Sequence, residues 1–173
     1  SRIYRNRKGV FFFTTIGDGL WKYEEPQLTH FSENDGIPGT EIWTVLETES
    51  QNLWIGTENG ISRISENGFR HFIPGELSGR VNGIAADGKN TIWLGTEGEG
   101  LIQFDGREFR RFSEKNGLPG MRISCLMKDK ENRIWIGTSD AGVGYLENKR
   151  LHLLKPGHSV LHEYIISLSA DNS

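Results

Sequence analysis

The tetrapeptide Trp135-Ile136-Gly137-Thr138 recurs as Trp54-Ile55-Gly56-Thr57 and as Trp93-Leu94-Gly95-Thr96, and a degenerate copy stands at Phe12-Phe13-Thr14-Thr15. The three tryptophans fall 39 and 42 residues apart, and Phe12 precedes Trp54 by 42. A period of this length marks solenoids, propellers and arrays, in which each repeat buries its apolar surface only against its neighbours. No other feature limits the possible folds as tightly.

Three further anchors share the period. An apolar pair three residues apart precedes each full tetrapeptide: Ile42 and Val45, Val81 and Ile84, Ile123 and Leu126. Ile165 and Leu168 open the same pattern a fifth time. After each tetrapeptide a glycine leads into a short segment: Gly19-Leu20-Trp21, Gly60-Ile61-Ser62, Gly100-Leu101-Ile102 and Gly144-Tyr145-Leu146. Phe31, Phe72, Phe112 and Leu154 close the units. Short segments rich in Ile, Val, Trp and Phe, bounded by Gly, Asn and Asp, read as strands. No stretch carries apolar residues at helical spacing long enough to compete.

Each unit is therefore expected to form four short antiparallel strands, and a repeated four-stranded sheet is a propeller blade. Blades pack on both faces, which accounts for the continuous apolar runs Leu53-Trp54-Ile55 and Ile92-Trp93-Leu94. The expected fold is all-β: β-propeller blades of four antiparallel strands, in four repeats of about 42 residues plus one extra inner strand. The repeats are placed at approximately 1–42, 43–81, 82–123 and 124–165, with 166–173 beginning a fifth. Four repeats and one inner strand suggest a segment of a larger propeller, completed by remaining blades or by a second copy of the chain. Trp54, Trp93 and Trp135 are expected to be packing wedges, with Trp21 making up for Phe12. Cys125, the one cysteine, excludes an internal disulfide and is expected to be buried and inert.

Composition narrows the function classes. Net charge is −3 with both signs scattered, so no nucleic-acid footprint is present. No run approaches the roughly 18 apolar residues of a membrane span, so membrane contact would come only through flanking segments. Gly17-Asp18-Gly19 and Glu97-Gly98-Glu99-Gly100 imitate phosphate loops but precede no helix, so they are rejected as nucleotide sites. Asp87, Asp129 and Asp171 hold matching turn positions, where Asx capping explains them. His158, His162 and Glu163 are potential ligands lying in a loop, and neither a metal nor a cofactor is expected there.

The tetrapeptide, its Asn-x-Ile lead-in at Asn132-Arg133-Ile134, and the motifs Gly36-Ile37-Pro38-Gly39 and Gly117-Leu118-Pro119-Gly120 resemble the two-component regulator propeller repeat. Such repeats occur in extracytoplasmic sensor regions of bacterial hybrid histidine kinases. The resemblance implies a periplasmic or extracytoplasmic ligand-sensing module, non-catalytic itself, responding to a small-molecule or carbohydrate-derived ligand. It implies transmission to an output domain outside this chain. The first repeat departs with Phe12 and Thr14, and the fourth with Leu154 and Pro156-Gly157-His158.

Candidate ligand-binding residues flank the first strand of each repeat, where side chains vary while anchors do not: Glu41, Trp43, Arg80, Asn82, Arg122 and Tyr164. Arg80 and Arg122 suit a carboxylate or sulfate, and Trp43 or Tyr164 suits a sugar ring. No catalytic residue is assigned. The alternatives are a lyase-like propeller with a metal and a His base, and a propeller that binds another protein.

Overall fold

A computed structural model of the chain describes residues 2–65, 68–72, 79–87, 91–154 and 164–169. These residues form four antiparallel four-stranded sheets, each with its strands in sequence order. The first sheet holds β1 (Arg2–Arg5), β2 (Phe11–Thr14), β3 (Leu20–Glu24) and β4 (Gln27–Phe31). The second holds β5 (Ile42–Glu47), β6 (Leu53–Thr57), β7 (Gly60–Ser65) and β8 (Gly68–Phe72). The third holds β9 (Val81–Ala86), β10 (Ile92–Thr96), β11 (Leu101–Phe104) and β12 (Phe109–Phe112). The fourth holds β13 (Ile123–Lys128), β14 (Ile134–Thr138), β15 (Val143–Glu147) and β16 (Arg150–Leu153). The fold is all-β, and the sheets are propeller blades.

The chain divides into two compact halves, residues 1–81 and 82–173. Within each, one sheet packs on the next through the same positions. In the N-terminal half Phe12 and Leu20 meet Ile42, Leu53 and Ile55, with Ile37 of the connection between them. In the C-terminal half Trp93 and Leu101 meet Ile123, Ile134 and Ile136, with Leu118 in the place of Ile37. Side chains alternate across a strand, so Trp93 and Gly95 share the face that meets the following sheet. A Cβ on Gly95 would collide with Ile123 and lie 3.2 Å from Leu126 Cγ. Gly137 stands equally close beneath Ile165. The first sheet has Phe12 and Thr14 at these two positions: a smaller ring beside a larger neighbour.

Two near-identical connections fold identically. Ser32 N–H donates to Asp35 Oδ2 at 2.8 Å, and Ser113 N–H to Asn116 Oδ1 at 2.9 Å, around short 3-10 turns. Gly36 and Gly117 then adopt φ of 99° and 94°, a left-handed conformation that glycine takes without steric cost. This aims Ile37 and Leu118 into the seams, where each is 3% exposed. Residues 73–78 and 155–163 of the other two connections lie outside the described residues.

Three expectations are corrected. Trp21 does not stand in for Phe12, because it pairs with Phe13 and so lies on the opposite face of the sheet. It is half-buried, stacks on His30 at 4.3 Å and donates its indole N–H to Asp18 Oδ2 at 3.1 Å. Trp54 and Trp93 are buried wedges, but Trp135 is only partly buried. Segment 164–169, beside its sheet, is not a strand. Ile165 nevertheless donates its N–H to Thr138 O at 3.0 Å, as Ile42 does to Thr15 O at 3.0 Å. Ile165 thus takes the place of a strand opening, but a strand also needs a ladder partner, and none lies beside it among the described residues.

Candidate functional site

The candidate residues lie where each connection enters the first strand of a sheet. That entry is tied to the turn between the second and third strands of the sheet before it. Thr40 O accepts from Gly17 N at 3.2 Å and Gly19 N at 3.1 Å, and Met121 O accepts from Gly98 N at 3.2 Å and Gly100 N at 2.9 Å. These glycine-rich turns therefore direct their amides at a carbonyl and leave them unavailable for phosphate. Isolated bridges pair Ile16 with Glu41 and Glu97 with Arg122. An acid in the turn answers a base on the fourth strand in both halves. Asp18 lies against His30, and Glu99 pairs with Arg111 at 2.9 Å.

In the N-terminal half the structure brings Trp43 and Arg80 together. The Arg80 guanidinium lies 4.1 Å from the centroid of the Trp43 ring. A stacked guanidinium keeps its edge N–H groups for other partners. One face of the indole is thereby covered, which narrows the expected stacking on a sugar. Trp43 sits in a β-bulge between Ile42 and Thr44, a device that re-aims a side chain out of the pleat. The same bulge occurs at Ser124, between Ile123 and Cys125. Trp43 Nε1 and Glu58 Oε2 are buried and have no hydrogen-bond partner among the described residues. Each such atom costs about 1–3 kcal/mol when left unpaired. Glu41 is part-buried beside Ile16.

In the C-terminal half Asn82 is 8% exposed. Its Nδ2 donates to Glu97 Oε2 at 2.8 Å and to Ile123 O at 2.9 Å, which ties two sheets together. Ser124 Oγ makes the equivalent bond to Ile165 O and another to Gly137 O at 3.0 Å. Arg122 and Tyr164 are exposed, Tyr164 to 64%. Glu58 and Glu97 were not among the expected residues. Their signal in the sequence is an acid directly after the Trp-Ile/Leu-Gly-Thr tetrapeptide in the second and third repeats.

Cys125 is buried with its thiol near Ser124 Oγ at 3.8 Å. Asp129 caps its turn as expected. Its Oδ1 accepts from Arg133 N at 2.9 Å, and its Oδ2 accepts from Arg133 Nε and Trp135 Nε1, both at 2.6 Å. Burial pushes this carboxyl up, but the Trp135 and Arg133 donors outweigh it and hold the pKa at about 2. Among the described residues no group of three or more His, Cys, Asp or Glu side chains is placed to hold a metal. His158, His162, Glu163 and Asp171 lie outside them.

The two component regulator propeller family model matches residues 36–59 and 117–140. These stretches run from the Gly-Ile/Leu-Pro-Gly connection through the tetrapeptide and cover the connection and first two strands of the second and fourth sheets. A search of curated proteins gives no significant match. Among solved structures, the extracellular domain of a hybrid two component system from B. thetaiotaomicron is 21% identical with a TM-score of 0.73, covering 88% of this chain and 24% of that one. A second such domain from the same organism is 22% identical with a TM-score of 0.69, covering 92% and 22%. An inactive virginiamycin B lyase from Staphylococcus aureus, solved with quinupristin, is 16% identical with a TM-score of 0.75, covering 91% and 56%. The chain spans about a quarter of the length of those two extracellular domains. At such low identities the TM-scores show a shared propeller fold alone.

Proposed function

We propose that this chain is part of the ligand-sensing propeller of an extracytoplasmic receptor, non-catalytic itself, which passes binding to an output domain. The observation that carries the reading is the contrast at the sheet entries. Scaffold contacts repeat position for position, while the exposed or part-buried side chains there differ: Glu41, Arg80, Arg122 and Tyr164. A shared scaffold with unlike side chains at equivalent positions is how repeat proteins assemble a binding surface. The contacts proposed are Glu41, Trp43 and Arg80 in the N-terminal half and Arg122 and Tyr164 in the C-terminal half, where Asn82 ties two sheets together. The ligand is a small, carbohydrate-derived molecule, and acidic forms suit the two arginines. The extracellular domains of two component systems among the similar structures support the class and the location.

Thermal-shift screening against neutral and uronic-acid oligosaccharides tests this reading. A saturable upward shift is expected. Arg122→Ala is expected to weaken binding about tenfold while leaving the unliganded melting temperature unchanged, as loss of one exposed charged contact should. A panel with no hit, or a hit untouched by changes at all five positions, would overturn the assignment.

The likeness to a lyase propeller supports a second reading, a metal-assisted elimination with a His base. Metal analysis of the purified protein decides it. The lyase reading requires bound divalent metal, removed by His162→Ala.

A further inference from the structure

Each sheet ends in an outer strand that is paired on one side only among the described residues, and the four outer strands differ along that free edge. β8 carries Arg70, β12 carries Arg110 and Arg111, and β16 carries Arg150. Charge on an edge strand discourages another strand from adding to it. β4, Gln27-Leu28-Thr29-His30-Phe31, has no Lys, Arg, Asp, Glu or Pro. The difference is sharpest at one register position. Arg70 and Arg110 lie in the cross-strand rows of Trp54 and Trp93, through Arg63 and Gln103. In the matching row of Phe12, through Lys22, the first sheet has Thr29. Gln27, Leu28 and Thr29 are exposed, Leu28 to 59%. The backbone of β4 is equally open. β3 and β4 are joined by the two-residue turn Glu25-Pro26 and close on the pair Glu24 and Gln27. The closing pair of such a hairpin is hydrogen-bonded, and bonded pairs alternate with unbonded ones from there. Gln27, Thr29 and Phe31 therefore bond inward to β3, and Leu28 and His30 direct their N–H and C=O groups outward.

We propose that β4 is a self-association edge: two copies of this chain pair it antiparallel about a two-fold axis and join their first sheets into one eight-stranded sheet. The strand is complementary to itself. With the axis at Thr29, Leu28 of each copy stands opposite His30 of the other. The residues whose backbone groups point outward then exchange bonds, and Thr29 meets Thr29. Cross-strand Thr pairs are favourable, whereas like charges directly opposite are not. The same pairing of β8 about Arg70, or of β12 about its arginines, sets guanidinium against guanidinium. Leu28 leaves solvent to lie beside His30 of the other copy, whose ring stacks at 4.3 Å on the half-buried Trp21. The same patch serves both copies, so the contact closes as a dimer and does not propagate. An edge of five residues per copy buries little area, so the dimer is weak, with a Kd on the order of 0.1 mM. The contact uses none of the residues assigned to ligand binding and is independent of the sensing reading.

Sedimentation of the full chain between about 10 μM and about 1 mM tests the proposal. The mass is expected to rise towards twice that of one chain, and Thr29→Arg is expected to weaken the association about tenfold. This variant installs the residue that the second and third sheets already carry at the same register position, and the second sheet accommodates Arg70 opposite Arg63. Circular dichroism and an unchanged thermal midpoint confirm that it folds. Amide hydrogen exchange locates the contact. In concentrated wild-type protein the Leu28 and His30 amides are expected to exchange more slowly than in dilute protein, and those of Gln27 and Thr29 to keep their rates. A chain that stays monomeric at the highest concentration overturns the edge pairing. A dimer that Thr29→Arg leaves intact, or whose Leu28 and His30 amides exchange as fast as in the monomer, also overturns it, because the contact then lies elsewhere.

Discussion

Gly95→Thr and Trp93→Phe, introduced separately, are each expected to destabilise the C-terminal half, and introduced together to cost less than their sum. Gly95→Thr places a branched side chain against Ile123 and Leu126, which belong to a closely packed seam. Overpacking of this kind costs about 1–3 kcal/mol. Trp93 is 3% exposed, and its truncation to Phe leaves a void costing about 1–2 kcal/mol, below the full cost of removing a large ring. The first sheet carries Phe and Thr at these two places, with Phe12 6% and Thr14 1% exposed. The pair therefore conserves volume across two neighbouring positions on one face. A coupling on the order of 1 kcal/mol in favour of the double variant is expected for residues sharing one space. Urea denaturation of the four proteins measures it. Strict additivity would mean that the two positions do not share a cavity, and that the Phe-Thr combination of the first sheet reflects something else.

Asp129→Ala is expected to remove about 2–3 kcal/mol at neutral pH, because it strips the partner from Trp135 Nε1 and from Arg133. The sign of its pH dependence follows from the carboxyl's folded pKa of about 2 against an ordinary 3.8. The folded state binds this proton less readily than the unfolded chain, so the group's stabilisation is fully present above the ordinary value. It is lost as pH falls through about 2. Hydrogen bonds also lower the pKa of Asp35 and Asp105, so the wild-type acid transition has several contributors. The wild-type minus Asp129→Ala difference isolates one. That difference should be flat above pH ~4 and shrink towards pH ~2. A difference independent of pH would mean that the Asp129 carboxylate charge does not drive the effect.

The fold was legible in the sequence because the period repeats both the strand signals and the turn signals. The Gly-Ile-Pro-Gly and Gly-Leu-Pro-Gly connections adopt one conformation, and each contributes the same apolar plug to its seam. Parity was harder to read. Whether Trp21 shares a face with Phe12 depends on hairpin register, and one residue of offset moves every side chain to the other face. Exposure of Trp135 also escaped, because a wedge is buried only as far as the element beside it is built, and residues 164–169 form no strand there. At the rim the variable positions were legible as a set, but their individual duties were not. Asn82 and Arg122 both break the repeat. Asn82, just after the first apolar anchor of its strand, is turned inward to Glu97 and Ile123, whereas Arg122, just before its anchor, is exposed. Glu58 has no signal beyond ordinary turn polarity, and Glu97 reads in the sequence only as part of a rejected phosphate-like loop.

The bridges from Ile16 to Glu41 and from Glu97 to Arg122 have a mechanical consequence. Each of these rim residues is attached at its backbone to one sheet and leads, one residue later, into the first strand of the next. A force applied to its side chain is therefore a torque across a seam and not a tug on a loose loop. Ile37 and Leu118, plugged into those seams, act as the fulcrum. A load placed on Glu41 or Arg122 would bear on two blades at once, because the backbone of each is tied to one sheet and continues into the next.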